Sequence, residues 1–555
     1  MDGRLQETLS KAARTPWYMT DRGCSERPRR GALARDAAGP RITHRRAVPA
    51  RRTRGASMNR WWKNTLTASA VIACASALRG GEAEHASAQE AGVARRPVPV
   101  AAPSPVSGSP VSGSPVSGSP VSGSPVSGSP LSGLEIRRER LANGLRVVLN
   151  PDRSVPTVGI AVYYDVGSRN EVRGRSGFAH LFEHMMFQGS ANVGKGEHFV
   201  IITQRGGSMN GTTSDDRTNY FETLPSNELE LGLWLEADRM RSLVVNEENF
   251  ENQREVVMDE RRQSYENQPY SLSFLRANEL SYGDYWPYAH STIGDMQDLV
   301  NAPLAAVQEF WTHYYAPNNA VLSIAGDFDP DEAMALVRRH FEDIESRSVP
   351  AYAPPELQPQ TAERRDAMTD LLADLPALHI NWHIPPAREA DHYALEMLSL
   401  VLGHGQSSRL YRQLVHDREL VSQISVGTDD RRGPDLFSVF GLIADGHTPA
   451  EVEPLVYAEI ERIAREGVTP RELERVRNQV RSFFLFSLQS NLDRAQNLAE
   501  FEMYWGDANL VRGELDRFLA VSREDVQRVA GRYFAATNRS VLHVTPAGAS
   551  EGGGA

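Results

Sequence analysis

His180, Glu183 and His184 stand in the run Gly177-Phe178-Ala179-His180-Leu181-Phe182-Glu183-His184-Met185-Met186-Phe187, where two imidazoles four residues apart bracket a carboxylate. The apolar residues around them predict a helix. Positions four apart share a helix face, so both imidazoles can reach one ion, and Glu183 leans toward the same side. Zinc with three protein ligands and one open position lowers the pKa of its bound water to about 7, and a neighbouring carboxylate can take the proton. Attack on a peptide carbonyl would give an oxyanion that the metal stabilises, and Glu183 could hand the proton to the departing amine. The implied chemistry is metal-assisted amide hydrolysis. Histidines four apart are by themselves better read as a solvated or internally satisfied pair; the intervening carboxylate and the buried-helix flanks favour the metal. This run does not supply the third ligand.

The segments that must position this helix read as α+β. Leu141 to Leu149 and Val158 to Val166 alternate like strands, with Asn143-Gly144 as a turn signal. Ser226 to Leu243 and Glu247 to Glu266 carry apolar residues at helical spacing, Val321 to Ala325 reads as a strand, and Pro330 to Ile344 as a helix. A proline-rich stretch near residues 347–360 then marks a boundary between a zinc-bearing domain, 134–346, and a second domain, 361–548. The second repeats the grammar, with strands at Leu378 to Trp382 and Phe437 to Ile443, a helix at Asp391 to Leu402, and long helices from Pro449. Val307-Gln308 leading to Tyr314-Tyr315-Ala316 is echoed by Val526-Gln527 leading to Tyr533-Phe534-Ala535, at an offset of 219 residues. Two homologous domains are expected, each a mainly antiparallel sheet covered by helices.

The ends of the chain bear on where it works. Residues 1–57 are Arg-rich without apolar runs and read as a disordered basic preface, or as untranslated sequence if Met58 is the true start. From Met58, Arg60 and Lys63 precede a short apolar stretch, Thr65 to Leu78, and Ala86-Ser87-Ala88 offers a cleavage pattern, so 58–88 reads as a signal peptide. The stretch is too short to span a bilayer comfortably. A periplasmic or secreted location follows. Val71-Ile72-Ala73-Cys74 also resembles a lipoprotein box, and a lipid on Cys74 would be the one membrane contact. Residues 89–133 hold five Pro-Val-Ser-Gly-Ser repeats and read as a tether, and 549–555 as a disordered tail. The only cysteines are Cys24 and Cys74, so a chain cut after Ala88 has no disulfides. A net charge of −11 argues against nucleic-acid partners.

The motif H-x-x-E-H is the inverted zinc motif, and its surroundings resemble the pitrilysin/insulinase family, which includes mitochondrial processing peptidase. The resemblance runs across most of Leu134 to Ala547, and it implies that the two domains together make one half of a clamshell. It implies a third zinc ligand from a second helix, and Glu260, 76 residues beyond His184, lies in Asn252-Gln253-Arg254-Glu255-Val256-Val257-Met258-Asp259-Glu260, which is similar to the family's second motif. On this match Glu255 and Asp259 are surface charges. Gly206 to Thr212 resembles the edge strand on which the family pairs extended substrate, with Asn210 and Gly211 at the contacting positions; taken alone the stretch is better read as a turn before a strand, and beside the zinc motif the two readings are even.

Two departures matter. Many members carry an Arg and, seven positions later, a Tyr that bind substrate beside the metal; alignment places Val415 and Ser422 there. Arg409 and Tyr411 differ in spacing and read as structural. Gln253 stands where some relatives have a second Glu. The expectation is therefore a zinc metalloendopeptidase for unfolded or extended peptides, with Glu183 activating a zinc-bound water. A homologous subunit would supply the Arg/Tyr pair in a heterodimer, with a homodimer as the alternative. The competing expectation is a non-catalytic zinc-binding scaffold or assembly subunit.

Overall fold

A computed structural model describes residues 133–547. The basic preface, the signal segment with Cys74, the repeat linker apart from Gly133, and residues 549–555 lie outside the described residues. Among the described residues no helix is long and apolar enough to cross a membrane.

The first sheet contains β1 (Arg137–Arg140), β2 (Arg146–Pro151), β3 (Thr157–Tyr164), β4 (Ser208–Thr213), β5 (Thr218–Pro225) and β6 (Ala320–Gly326). Its spatial order is β1-β2-β6-β3-β5-β4. Every pairing is antiparallel except β2 with β6. The second sheet contains β7 (Arg364–Asp370), β8 (Ala377–Ile384), β9 (Val421–Thr428), β10 (Asp435–Ile443) and β11 (Arg539–Pro546), ordered β7-β11-β8-β10-β9. Again one pair alone, β7 with β11, runs parallel. With β1 set aside, the two sheets have one connectivity. The fold is α+β with two sheets covered by helices.

Helices of eight residues or more are numbered in chain order. In the first half they are α1 (Phe178–Met185), α2 (Glu197–Gln204), α3 (Leu229–Ser242), α4 (Glu247–Arg261), α5 (Ser271–Tyr282), α6 (Leu304–Tyr314) and α7 (Pro330–Phe341). In the second they are α8 (Ala390–Gly403), α9 (Pro449–Glu466), α10 (Pro470–Phe486), α11 (Asn491–Trp505), α12 (Val511–Ala520) and α13 (Arg523–Arg532). The offset of 219 holds element by element. α6 and α13 begin at Leu304 and Arg523, and β6 and β11 at Ala320 and Arg539. Each pair is joined by a turn whose asparagine ties the strand end down: Asn319 Nδ2 donates to Tyr314 O at 2.9 Å and Asp165 O at 3.3 Å, and Asn538 Nδ2 to Tyr533 O at 2.8 Å and His383 O at 2.9 Å.

The boundary at 347–360 separates the strands of the two sheets, but not their coverings. α11 lies across β3 and β6 of the first sheet, so that Ala161, Tyr163 and Val321 share a core with Ala495 and Leu498. Asn491 Nδ2 donates to Thr157 O at 2.8 Å, and Gly159 permits the approach: a Cβ there would lie 2.6 Å from the Leu492 backbone. Reciprocally, α5 of the first half covers the second sheet, where Tyr270 and Ala277 pack with Phe440, Leu442 and Val544.

Two expectations shift in detail. The strand expected from Leu141 begins at Arg146, because Asn143-Gly144 turns the chain between β1 and β2: Leu141 N–H donates to Leu145 O at 2.9 Å, and Gly144 takes φ 92°. The helix expected to reach Glu266 is α-helical only to Arg261 and then widens into a π turn, Arg262–Glu266. π turns inside helices recur at functional sites, and this one begins two residues after Glu260.

Candidate metal centre

α1 carries its chemistry on one face because the other is fully spent on packing. Phe178, Ala179, Leu181, Phe182 and Met185 are buried, and the Phe182 ring lies 4.2 Å from that of Tyr315. Burying such a ring contributes about 2–3 kcal/mol. The helix starts at Gly177, whose φ of 85° is the left-handed region that glycine tolerates. The N-terminal N–H groups of Gly177 and Ala179 donate to the buried Glu171 carboxylate at 2.8 and 2.7 Å. An anion at a helix N-terminus satisfies otherwise unpaired donors and complements the helix dipole. The start of α1 is thereby fixed, and with it the direction of His180 and His184.

α4 supplies the facing carboxylate. Its N-cap, Asn246, accepts from Asn249 N–H at 2.9 Å. Phe250, Gln253 and Val257 are its buried face, while Glu255 and Asp259 are exposed. Glu260 emerges on the Gln253 side toward α1: its Oε2 stands 3.3 Å from His184 Nε2 and 3.7 Å from His180 Nε2. The two imidazole rings are 4.8 Å apart, edge to face. Ligands about 2.0–2.1 Å from a tetrahedral zinc stand about 3.3 Å from one another, so the spacing of these three donors fits one such ion. Gln253 also hydrogen-bonds His184.

Electrostatics pushes the two imidazoles apart. Burial drives His180 down, against the pull of the Glu183 charge. For His184, burial also acts downward, but the hydrogen bond to Glu260 and the charges of Glu183 and Glu260 outweigh it, and its net shift is upward. Glu260 lies below the ordinary carboxylate range, because the His184 hydrogen bond and the charges of both histidines outweigh its partial burial. A bound cation replaces these protons, as ligation needs neutral imidazole and ionised carboxylate.

Glu183 is one turn from His180 and points to the sheet edge. Its Oε2 accepts from Thr213 Oγ1 at 2.5 Å, and a Cβ on Gly211 would lie 3.2 Å from its Cγ. β4 is the outermost strand of its sheet. Asn210 is exposed and Gly211 buried, with Gly211 N–H donating to Asn210 Oδ1 at 2.9 Å. His180, His184, Glu260, Glu183, Asn210 and Gly211 therefore meet in one place. Thr213 is the member that sequence reading missed. It lies two residues beyond Gly211, on the same strand face, and that period was the available signal.

The second half reaches this edge through the loop after β9. Arg431 Nε donates to Asp215 Oδ2 at 2.8 Å, and Arg432 N–H to Asp216 Oδ2 at 2.9 Å, gripping the turn between β4 and β5. At the positions that bear Arg and Tyr in the resemblance, Val415 packs against the second core and Ser422 Oγ donates to Leu442 O at 3.2 Å. Arg409 is committed to Glu472 at 2.7 Å and Glu459 at 3.1 Å.

Residues 146–281 match the family model for insulinase, peptidase family M16, and residues 301–480 match the peptidase M16 inactive domain. The chain is 31% identical over 418 residues to the zinc protease PqqE of Helicobacter pylori, covering 73% of this chain and 92% of that one. It is 22% identical over 420 residues to the mitochondrial-processing peptidase subunit beta of Blastocladiella emersonii, covering 73% and 88% respectively. A crystal structure of a protease from Helicobacter pylori superimposes with a TM-score of 0.71 at 29% identity, over 74% of this chain and all of that one. The Helicobacter pylori relative is named a zinc protease.

Proposed function

The chain belongs to the insulinase family of M16 peptidases, and on that premise we propose that it is a zinc metalloendopeptidase acting on unfolded or extended peptides. The observation that carries the reading is the convergence of His180, His184 and Glu260 beside a fourth side chain, the Thr213-bonded carboxylate of Glu183, at an open sheet edge. Zinc held by the three ligands supplies a Lewis acid and lowers the pKa of water. The remaining work falls to the chain's own residues. Glu183 takes a proton from the attacking water on its carboxylate and returns it to the leaving amine. The Thr213 hydroxyl, bonded to Oε2, holds that carboxylate facing β4. The β4 backbone at Asn210 and Gly211 receives an extended main chain by strand addition, a mode that recognises backbone and leaves side-chain choice to pockets. An incoming carbonyl replaces the Asn210 side chain on the Gly211 N–H.

Val415, Ser422 and the committed Arg409 do not supply the Arg/Tyr pair that the resemblance implies. A homologous subunit supplies it in this reading, and the name of the relative described as subunit beta supports a two-chain enzyme. The signal-like sequence at 58–88 supports export to the periplasm or beyond. The deciding experiment is peptide hydrolysis by wild type and Glu183→Gln with zinc measured in both. Retained zinc with hydrolysis reduced by roughly 10²–10⁴-fold is expected; undiminished hydrolysis overturns the role of Glu183. Full activity of the isolated chain, unchanged by a homologous partner, overturns the two-chain reading.

A further inference from the structure

A second cluster of metal-ligating side chains lies behind the zinc helix, with no part in the chemistry above. His198 on α2, Glu222 on β5 and Glu236 on α3 each place a ligand atom within 4.8 Å of the others. All three are buried, with relative exposures of 5%, 0% and 1%. Glu222 has no hydrogen-bond partner on either carboxylate oxygen, and His198 Nε2 has none. The closest approach between them, His198 Nε2 to Glu222 Oε2, is 3.6 Å, too long for a hydrogen bond. Buried polar atoms normally find partners, and an orphaned carboxylate in the interior is costly. The wall is built tightly around it, since a Cβ on Gly232 would lie 2.6 Å from Glu222 Oε1.

We infer that His198, Glu222 and Glu236 form a second, structural metal site for a divalent first-row transition ion. One imidazole nitrogen and two carboxylates are a donor set for zinc and its neighbours, and the nitrogen argues against calcium or magnesium. Glu236 is also held by Arg239 on the same helix in a bidentate pair, Nε donating to Oε2 at 2.9 Å and Nη2 to Oε1, and each carboxylate oxygen keeps a second lone pair for an ion. The Arg239 guanidinium is spread over the faces of Tyr220 at 4.4 Å and Phe187 at 5.5 Å. The ion fastens three elements that sequence separates. Of these, α2 leads through Gly206 and Gly207 straight into β4, and Glu222 stands two positions along β5 from Tyr220, whose ring underlies Gly211. The second ion therefore braces the strands that carry Tyr220 and Gly211, on the sheet face that also meets Glu183, while the first, at the front, works at the open edge.

The test is metal stoichiometry in the purified full chain, stripped by chelation and reloaded with zinc chloride. Wild type is expected to retain about two equivalents, and His180→Ala/His184→Ala about one. Glu222→Gln, which keeps the shape of the side chain, is expected to lose the second equivalent and keep the first. A folded His180→Ala/His184→Ala protein holding no zinc overturns the inference, leaving the cluster to share a proton. Should Glu222→Gln fail to fold, the double variant still decides: zinc is expected to raise its Tm by several degrees, and no rise overturns the site. The double variant lacks the front ligands, so this result is independent of the peptidase reading.

Discussion

The two halves of the molecule run the same five strands in the same order, yet treat the helix after the second of those strands in opposite ways. After β3, α1 buries one face and leaves His180, Glu183 and His184 partly open. After β8, α8 is buried from His392 through Tyr393, Leu395, Leu398 and Leu402, with little polar face at all. A helix that is apolar all round belongs inside a core. A helix that holds a reactive metal must instead be anchored from one side only, and it needs a substitute for the packing it forgoes. The Glu171 carboxylate at the N-terminus of α1 and the Phe182–Tyr315 contact are that substitute.

This contrast is sharpest in variants. His184→Ala in α1 is expected to abolish hydrolysis and most zinc at the front site while leaving the melting transition largely in place, by calorimetry alongside metal analysis. Leu398→Ala in α8 should do the reverse, costing about 2–5 kcal/mol of stability through the cavity it leaves, with zinc content per folded chain unchanged. Equal loss of zinc in both variants would mean that the helices are not specialised in this way.

The junction between the halves tests the comparison at a smaller scale. Arg431→Ala removes the cation that grips Asp215 in the turn after β4 and leaves that carboxylate only the Ser168 hydroxyl at 3.1 Å, at a cost of about 3 kcal/mol. The expected kinetic signature is a raised KM for long peptides, read from initial rates, because the edge strand loses its outer support. Gly159→Ala drives a methyl into the α11 backbone and is expected to cost about 1–3 kcal/mol. Urea unfolding should then show the second half loosening together with the first. A Gly159→Ala chain as stable as wild type would mean α11 sits further from the sheet than 2.6 Å implies.

What could be read from sequence was what local spacing records. H-x-x-E-H places two imidazoles on one helix face by geometry alone, and resemblance extended this to Glu260 and the β4 edge. The offset of 219 residues survived because equivalent turns need equivalent asparagines, Asn319 and Asn538, to close them. The exchange of α5 and α11 between sheets left no such trace, because helical periodicity says that a face is buried and not against what. The same limit hid His198, Glu222 and Glu236. They come from a helix, a strand and another helix with no fixed spacing, and each taken singly reads as an ordinary polar residue. Thr213 was legible in principle from its period-two relation to Gly211, but nothing in the residue type distinguishes it from a strand-former.

The exchanged helices also give the junction a pH dependence. His379 on β8 sits where α5 docks: its Nε2 faces Ser273 Oγ at 2.8 Å, and its ring lies 4.5 Å from Phe274 and 4.9 Å from Phe440. Burial pushes its imidazole from the ordinary 6.5 down to about 3. Above pH 6.5 the group is neutral in both folded and unfolded chains and adds no pH dependence. As pH falls below 6.5 the unfolded chain takes up a proton that the folded chain refuses, so stability declines, levelling once pH passes the folded value near 3. The slope from one such group approaches about 1.4 kcal/mol per pH unit. His379→Gln is expected to flatten the fall in Tm between pH 6.5 and 4 relative to wild type. An unchanged slope would mean that the imidazole titrates normally, and that α5 seals the second sheet less tightly than α11 seals the first.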